Sequence, residues 1–148
     1  MPEKPSKPQI LHASAVAFDQ AGLIITGGSG SGKSNLALQL IALGAALVAD
    51  DGLVVTAQKG GLWLEAPEPI KDRIEARGLG ILTCPSISAW ACGVVTLDQV
   101  ENTRLPPPRE TVIAGVRLPL LHKVESPAFP SMLKLYLTGG IHGHPTGD

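Results

Sequence analysis

The sequence predicts an α/β fold in which strands outnumber helices, and three observations predict it. Short apolar runs of strand length recur along the chain, separated by Gly, Pro and Asp turn signals. One glycine-rich loop, residues 27–32, joins such a run to a stretch with helical periodicity. The 148 residues, 44% of them hydrophobic, are about one domain's worth and can build a core. Only Phe18, Trp63, Trp90, Phe129 and Tyr136 are aromatic, so that core must be mostly aliphatic.

Taken in order, Pro2, Pro5 and Pro8 make residues 1–8 an extended, flexible leader. Residues 10–18 read as a strand, 19–22 as a turn and 23–26 as a short apolar strand, together a hairpin. A helix is predicted over 33–43, with Leu36, Leu40 and Leu43 on one face and Gly44 as its C-cap. Residues 45–49 are a buried strand ending at Asp50 and Asp51. Residues 53–57 and 62–65 flank Lys59-Gly60-Gly61 as a second hairpin. Pro67 and Pro69 punctuate the chain, and 70–77 read as a short helix or turn. Residues 78–81 are expected to be extended and close-packed, their glycines permitting close backbone approach. A strand at 93–97, a break at 104–108, strand-like runs around Pro119 within 112–121 and a helix at 132–137 complete the domain, 9–138. The tail, 139–148, is expected to fray.

Several function classes are excluded. A net charge of −1 and few aromatics argue against nucleic-acid binding. No apolar run approaches the roughly 18 to 20 residues of a membrane span, and residues 1–10 lack the apolar stretch of a signal peptide. Cys84 and Cys92 are too few for a disulfide framework, lack zinc-site spacing, and read as small buried hydrophobes. The prediction is a cytoplasmic protein with no membrane contact.

Chemistry concentrates in Gly27-Gly28-Ser29-Gly30-Ser31-Gly32-Lys33-Ser34, which fits the P-loop pattern G-x-x-x-x-G-K-[ST]. Glycines let successive backbone N–H groups turn inward around phosphate oxygens, and the following helix N-terminus adds positive potential. Lys33 supplies a full charge for the β- and γ-phosphates, and the Ser34 hydroxyl can ligate Mg²⁺. The strand before and helix after the loop separate it from a Gly/Ser linker and make the fold P-loop NTPase-like. Asp50 and Asp51 fall at the carboxyl end of a strand, where open α/β sheets bind ligands. Alone, Asp-Asp-Gly reads as a turn with solvated acids. Beside a P-loop, one acid suits Mg²⁺ and the other the nucleophile's proton. Side chains alternate along a strand, so only one of them faces the phosphates fully. Asn occurs only at positions 35 and 102, so the guanine-reading N-K-x-D signature is absent and ATP is the default nucleotide.

Residues 11–80 resemble the C-terminal catalytic domain of bacterial HPr kinase/phosphorylase. The resemblance rests on Leu11-His12-Ala13, Leu23-Ile24-Ile25-Thr26-Gly27, the P-loop, Leu36-Ala37-Leu38 and Leu47-Val48-Ala49-Asp50-Asp51. Glu75-Ala76-Arg77-Gly78-Leu79-Gly80-Ile81 adds the family's E-x-R-G-[LV]-G-I signature. The resemblance implies ATP-dependent phosphorylation of a serine of the phosphocarrier HPr, within a bacterial phosphotransferase system. It also implies the reverse phosphorolysis, which consumes inorganic phosphate and releases pyrophosphate. By the same resemblance Asp51 is the general base, His12 the active-site histidine, Ser34 and Glu75 the Mg²⁺ ligands and Arg104 the distal catalytic arginine. A homo-oligomer, a hexamer in the family, is implied as well.

The sequence also departs from the family. Asn35 stands where the family usually has Glu, a proline-glycine-arginine-asparagine loop is not recognisable near residues 126–130, and the expectation is a short form lacking the N-terminal domain. These departures bear on phosphorolysis and HPr docking more than on nucleotide binding. They motivate two alternatives: a non-catalytic module that senses nucleotide or phosphate, and a small-molecule P-loop kinase.

Overall fold

A computed structural model of the chain describes residues 6–142. The leader's residues 1–5 and the tail's residues 143–148 lie outside the described residues. Within them, the strands are β1 (Gln9–Leu11), β2 (Ser14–Phe18), β3 (Ala21–Thr26), β4 (Ala46–Ala49), β5 (Leu53–Gln58), β6 (Gly61–Glu65), β7 (Arg73–Ala76), β8 (Gly80–Thr83), β9 (Ala89–Val100), β10 (Glu110–Ile113) and β11 (Val116–Lys123). The helices are α1 (Lys33–Ala42) and α2 (Phe129–Gly139). The α/β, strand-rich prediction holds.

One nine-stranded sheet dominates. Its order runs β1-β5-β6-β9-β3-β2-β4, with β10 and β11 added through β11 on β9. The twelve-residue β9 is its spine, pairing antiparallel with β6 and parallel with β3 and β11. Alternation along β2 and β3 divides the core between two faces. Val16, Leu23 and Ile25 pack with Leu36, Ala37 and Leu40 of α1 and with Phe129 and Leu133 of α2. Ala15, Ala17 and Ile24 point the other way, onto Val55, Leu62, Leu64, Val94 and Leu118. β2 is therefore buried along its whole length. Phe18 and Phe129 are the only aromatics in this buried core among the described residues, as the composition predicts. Trp63 and Trp90 meet edge-on across β6 and β9, their ring centroids 4.8 Å apart.

Local signals are realised closely. The β2–β3 hairpin turns at Asp19 and Gln20. The β5–β6 hairpin turns on Lys59 and Gly60, both at positive φ (52° and 76°), while Gly61 already belongs to β6. α1 ends at Ala42 with Leu43 as its C-cap, one residue before the expected Gly44, which follows at φ 109° and donates its N–H to the Ile41 carbonyl.

Four expectations are corrected. Residues 10–18 are two strands: β1 pairs with β5 and β2 with β3 and β4, so the chain bends at His12 and Ala13. Residues 70–77 do not form a helix. Pro69 allows a single 3₁₀ turn at Glu68–Ile70, after which Arg73–Ala76 pairs with Gly80–Thr83 as a separate hairpin. Its exposed Arg73 and Glu75 alternate with buried Ile74, a period of two that the mixed charge obscures. Residues 78–81 are not close-packed. Arg77, Gly78 and Leu79 form the hairpin turn, and Leu79 and Ile81 are exposed because none of the described residues covers that face of the two-stranded sheet. Finally, Cys84 is half-buried and Cys92 is exposed, so neither is a fully buried core residue.

Candidate active site

The site is assembled where β3, β4 and β9 end and α1 begins. Gly27 follows β3 at φ 155°, and a Cβ there would run into the Ser31 side chain and lie 3.2 Å from Cβ of Leu97. Only glycine lets the loop turn so tightly over the end of β9. Gly32 caps α1 at φ 102° with no side-chain cap, leaving the first N–H groups of the helix free for an anion. The buried Lys33 ammonium donates to the Gly27 and Gly28 carbonyls (2.9 and 3.2 Å), which fixes it across the mouth of the loop. Ser31 Oγ is buried without a hydrogen-bond partner among the described residues.

The adjacent acids take different roles. Asp50 is tied down: its Oδ1 accepts from Ser34 Oγ at 2.6 Å and Ser14 Oγ at 3.1 Å, and its Oδ2 accepts the Glu75 N–H at 3.0 Å. Asp51, at φ 57°, turns its carboxylate away to lie 3.2 Å from His12 Nε2 and 3.9 Å from Lys33 Nζ. Both His12 and Asp51 are more than half exposed, so the pair faces solvent. The bend between β1 and β2 is what turns His12 towards it.

The structure thus brings His12, Lys33, Ser34, Asp50 and Asp51 together, with the backbone of Glu75 joined to Asp50. The Glu75 side chain lies exposed on β7. Arg104 sits exposed in the loop between β9 and β10, with no hydrogen bond or ion pair to this cluster among the described residues. The hydroxyl of Ser34 and the carboxylate of Asp50 are hard oxygen donors and fit Mg²⁺, which takes few protein ligands beside water and phosphate. No three His, Cys, Asp or Glu side chains come together as a metal cluster among the described residues.

Two contributors escape the sequence reading. Ser14 is fully buried and bridges the acids, its hydroxyl donating to Asp50 and accepting the Asp51 N–H at 3.0 Å. A polar residue in an otherwise apolar strand is the signal for it. Asp98, near the end of β9, accepts the Gly28 N–H at 3.1 Å and anchors the start of the loop. The strand-end rule that singles out Asp50 applies equally to Asp98.

Residues 3–92 match the family model described as the HPr Serine kinase C-terminal domain. The chain belongs to this family. The match includes His12, the phosphate loop, both acids and Glu75, and stops before Asp98 and Arg104. Among curated members of the HPr kinase family, the HPr kinase/phosphorylase of an Azoarcus species is 53% identical over 114 residues. That alignment spans 66% of this chain and 36% of the relative. The protein of that name from Aromatoleum aromaticum is 45% identical over 105 residues, 61% of this chain and 33% of the relative. The chain therefore spans about a third of the length of these relatives. A solved Hpr(Ser) kinase/phosphatase from Coxiella burnetii superposes with a TM-score of 0.73 at 23% identity, covering 88% of this chain and 94% of that one. The HPr kinase catalytic-domain fold, P-loop NTPase-like in type, is thereby shown for this chain. No helix among the described residues is long and apolar enough to cross a membrane.

Proposed function

We propose that this chain is an ATP- and Mg²⁺-dependent kinase that phosphorylates a serine of an HPr-type phosphocarrier protein. The observation that carries the reading is the placement of the Asp51 carboxylate between His12 and the phosphate-loop lysine, with Asp50 held aside on Ser34. A base there reaches an incoming hydroxyl on one side and lies beside the loop that cradles the γ-phosphate on the other.

In the forward direction Asp51 takes the serine proton, the serine oxygen bonds to the γ-phosphorus, and the bond from that phosphorus to the β-bridging oxygen breaks to release ADP. Lys33 and the free N–H groups of α1 hold the phosphates and meet the developing charge. Ser34 and Asp50 would hold Mg²⁺, with Glu75 as a further candidate ligand on β7, and the ion would supply neutralisation of phosphate charge. In phosphorolysis an oxygen of inorganic phosphate bonds to the phosphoserine phosphorus, the bond from that phosphorus to the serine oxygen breaks, protonated Asp51 gives its proton to the departing serine oxygen, and pyrophosphate forms. His12 is placed to hold that phosphate or orient Asp51. Self-association, a hexamer in the family resemblance, is consistent with the exposed Met132 and Leu135 on α2.

Incubating the full chain with HPr, ATP and Mg²⁺ and following HPr by mass tests the reading. Formation of phosphoserine on HPr is the expected result. Nucleotide binding without it would overturn the kinase reading in favour of a sensing module, and transfer only to free hydroxyl metabolites would favour a small-molecule kinase.

A further inference from the structure

Nine residues, 101–109, connect β9 to β10, and the two that flank its central loop, 102–108, are each tied twice. Glu101 precedes the loop and Arg109 follows it. The guanidinium straddles the carboxylate: Arg109 Nε and Nη2 each donate to Glu101 Oε1 at 3.2 Å, and Nη2 donates to Oε2 at 3.0 Å. The same carboxylate accepts the Thr103 N–H at 3.2 Å, and the His122 ring lies 3.9 Å away. Backbone bonds fasten both ends to β11: Glu101 N–H to the Lys123 carbonyl at 2.8 Å and Leu120 N–H to the Arg109 carbonyl at 2.9 Å.

This arrangement is costly for a mere connection. The Glu101 side chain is only 9% exposed, so a charge has been taken out of water and compensated by a forked partner. What the clasp supports is the opposite in character. Arg104 is exposed, Leu105 is 84% exposed, and Pro106, Pro107 and Pro108 stiffen the return. The loop leaves the sheet from the β9 end whose Asp98 holds Gly28 of the phosphate loop.

We infer that the Glu101–Arg109 clasp is a positioning device that fixes loop 102–108 and presents Arg104 to the phosphoryl-transfer site. The inference rests on the kinase reading and on Arg104 as its distal arginine. Glu101 and Arg109 touch no reacting atom; they remove the conformational freedom that Arg104 would otherwise lose on reaching the transition state.

The test uses the full chain and three readouts: transfer to HPr, nucleotide affinity, and the rate of tryptic cleavage at the Arg104–Leu105 bond. Arg104→Ala is expected to lower kcat about tenfold or more with nucleotide affinity unchanged. Glu101→Gln, and independently Arg109→Lys, which keeps the charge but not the fork, are expected to lower kcat several-fold at unchanged nucleotide affinity. Combining Glu101→Gln with Arg104→Ala should cost no more than Arg104→Ala alone, because the clasp acts only through that arginine. Cleavage at Arg104–Leu105 should accelerate in both clasp variants, with cleavage at Arg117–Leu118 in β11 unchanged. Additive losses in the double variant, or unchanged cleavage at Arg104–Leu105, would overturn the clasp as a positioning device. Wild-type transfer by Arg104→Ala would instead overturn the catalytic reading of the loop, with the protease readout still deciding whether the clasp holds it.

Discussion

The buried Ser14 hydroxyl accepts the backbone N–H of Asp51 over 3.0 Å, and so helps to hold a non-glycine residue at φ 57°. The same oxygen donates to Asp50, so one small side chain orients both acids. Replacing it by alanine removes a donor and an acceptor in a place that water cannot fill freely. Ser14→Ala is expected to destabilise the fold by about 1–3 kcal/mol, measured by urea unfolding. It should also lower transfer to HPr by more than it weakens nucleotide binding, since the phosphate loop is untouched. A variant as stable and as active as the parent would show that Asp51 needs no such support.

Asp51 and Asp50 are predicted to fail differently. Asp51→Asn keeps the shape beside His12 and Lys33 but cannot take a proton, so transfer should fall about 10²- to 10⁴-fold while nucleotide affinity stays near normal. Asp50→Asn alters a group that accepts three hydrogen bonds from Ser34, Ser14 and Glu75. It should impair Mg²⁺-dependent nucleotide binding and lower stability. Isothermal titration with and without Mg²⁺, alongside transfer assays, distinguishes the two. Equal loss of binding in both variants would reject Asp51 as the base.

The contrast between these acids marks how far the sequence can be read. The phosphate loop, α1 and the strand ending at Asp50 are local: each needs only neighbouring residues to be recognised, and all three appear as predicted. The divergence of the two acids is not a matter of strand alternation: both lie beyond β4, and it is the left-handed backbone of Asp51, at φ 57°, that turns its carboxylate from that of Asp50. What is not local is not legible. The parallel pairing of β9 with β3 aligns Thr26 with Thr96, 70 positions apart, and so carries Asp98 to Gly28. The β7–β8 hairpin is hard to read because mixed charge over residues 70–77 hides the period of two that Ile74 shares with its exposed neighbours Arg73 and Glu75. The exposure of Leu79 and Ile81 is not legible either, since glycine flanks permit both a tight turn and close packing.

Gly27 gives a sharp stability test of the loop geometry. Its φ of 155° and the Ser31 and Leu97 side chains against its missing Cβ leave no room for a methyl group. Gly27→Ala is expected to cost about 1–3 kcal/mol of stability. Because the loop must open to admit the methyl, nucleotide binding should be lost disproportionately. Gly60→Ala, in a turn with nothing within 4 Å of the new methyl but with φ at 76°, should cost only about 1 kcal/mol and leave binding intact. Comparing the two separates the effect of backbone strain from that of close packing at the site. Unimpaired nucleotide binding by Gly27→Ala would show that the loop tolerates a side chain there.

Acid should loosen the hairpin that carries Glu75. Asp72 closes one end of it, its Oδ1 accepting the Ser86 N–H at 2.8 Å and the Ser86 hydroxyl at 2.5 Å, and these bonds hold its carboxyl below the usual aspartate range. A carboxylate whose pKa is depressed in the folded state contributes stability that is present above its unfolded pKa, about 3.9, and is lost as pH falls through the folded value. Asp72→Asn lacks that contribution at every pH. Urea unfolding of the two proteins should therefore differ most near neutral pH, and the gap should close as the pH drops below about 4. Ser86→Ala should narrow the gap at neutral pH as well, because it removes the hydroxyl donor that lowers the Asp72 pKa. A gap between parent and Asp72→Asn that stays constant down to pH 2 would show that the ionised carboxylate does not hold the hairpin.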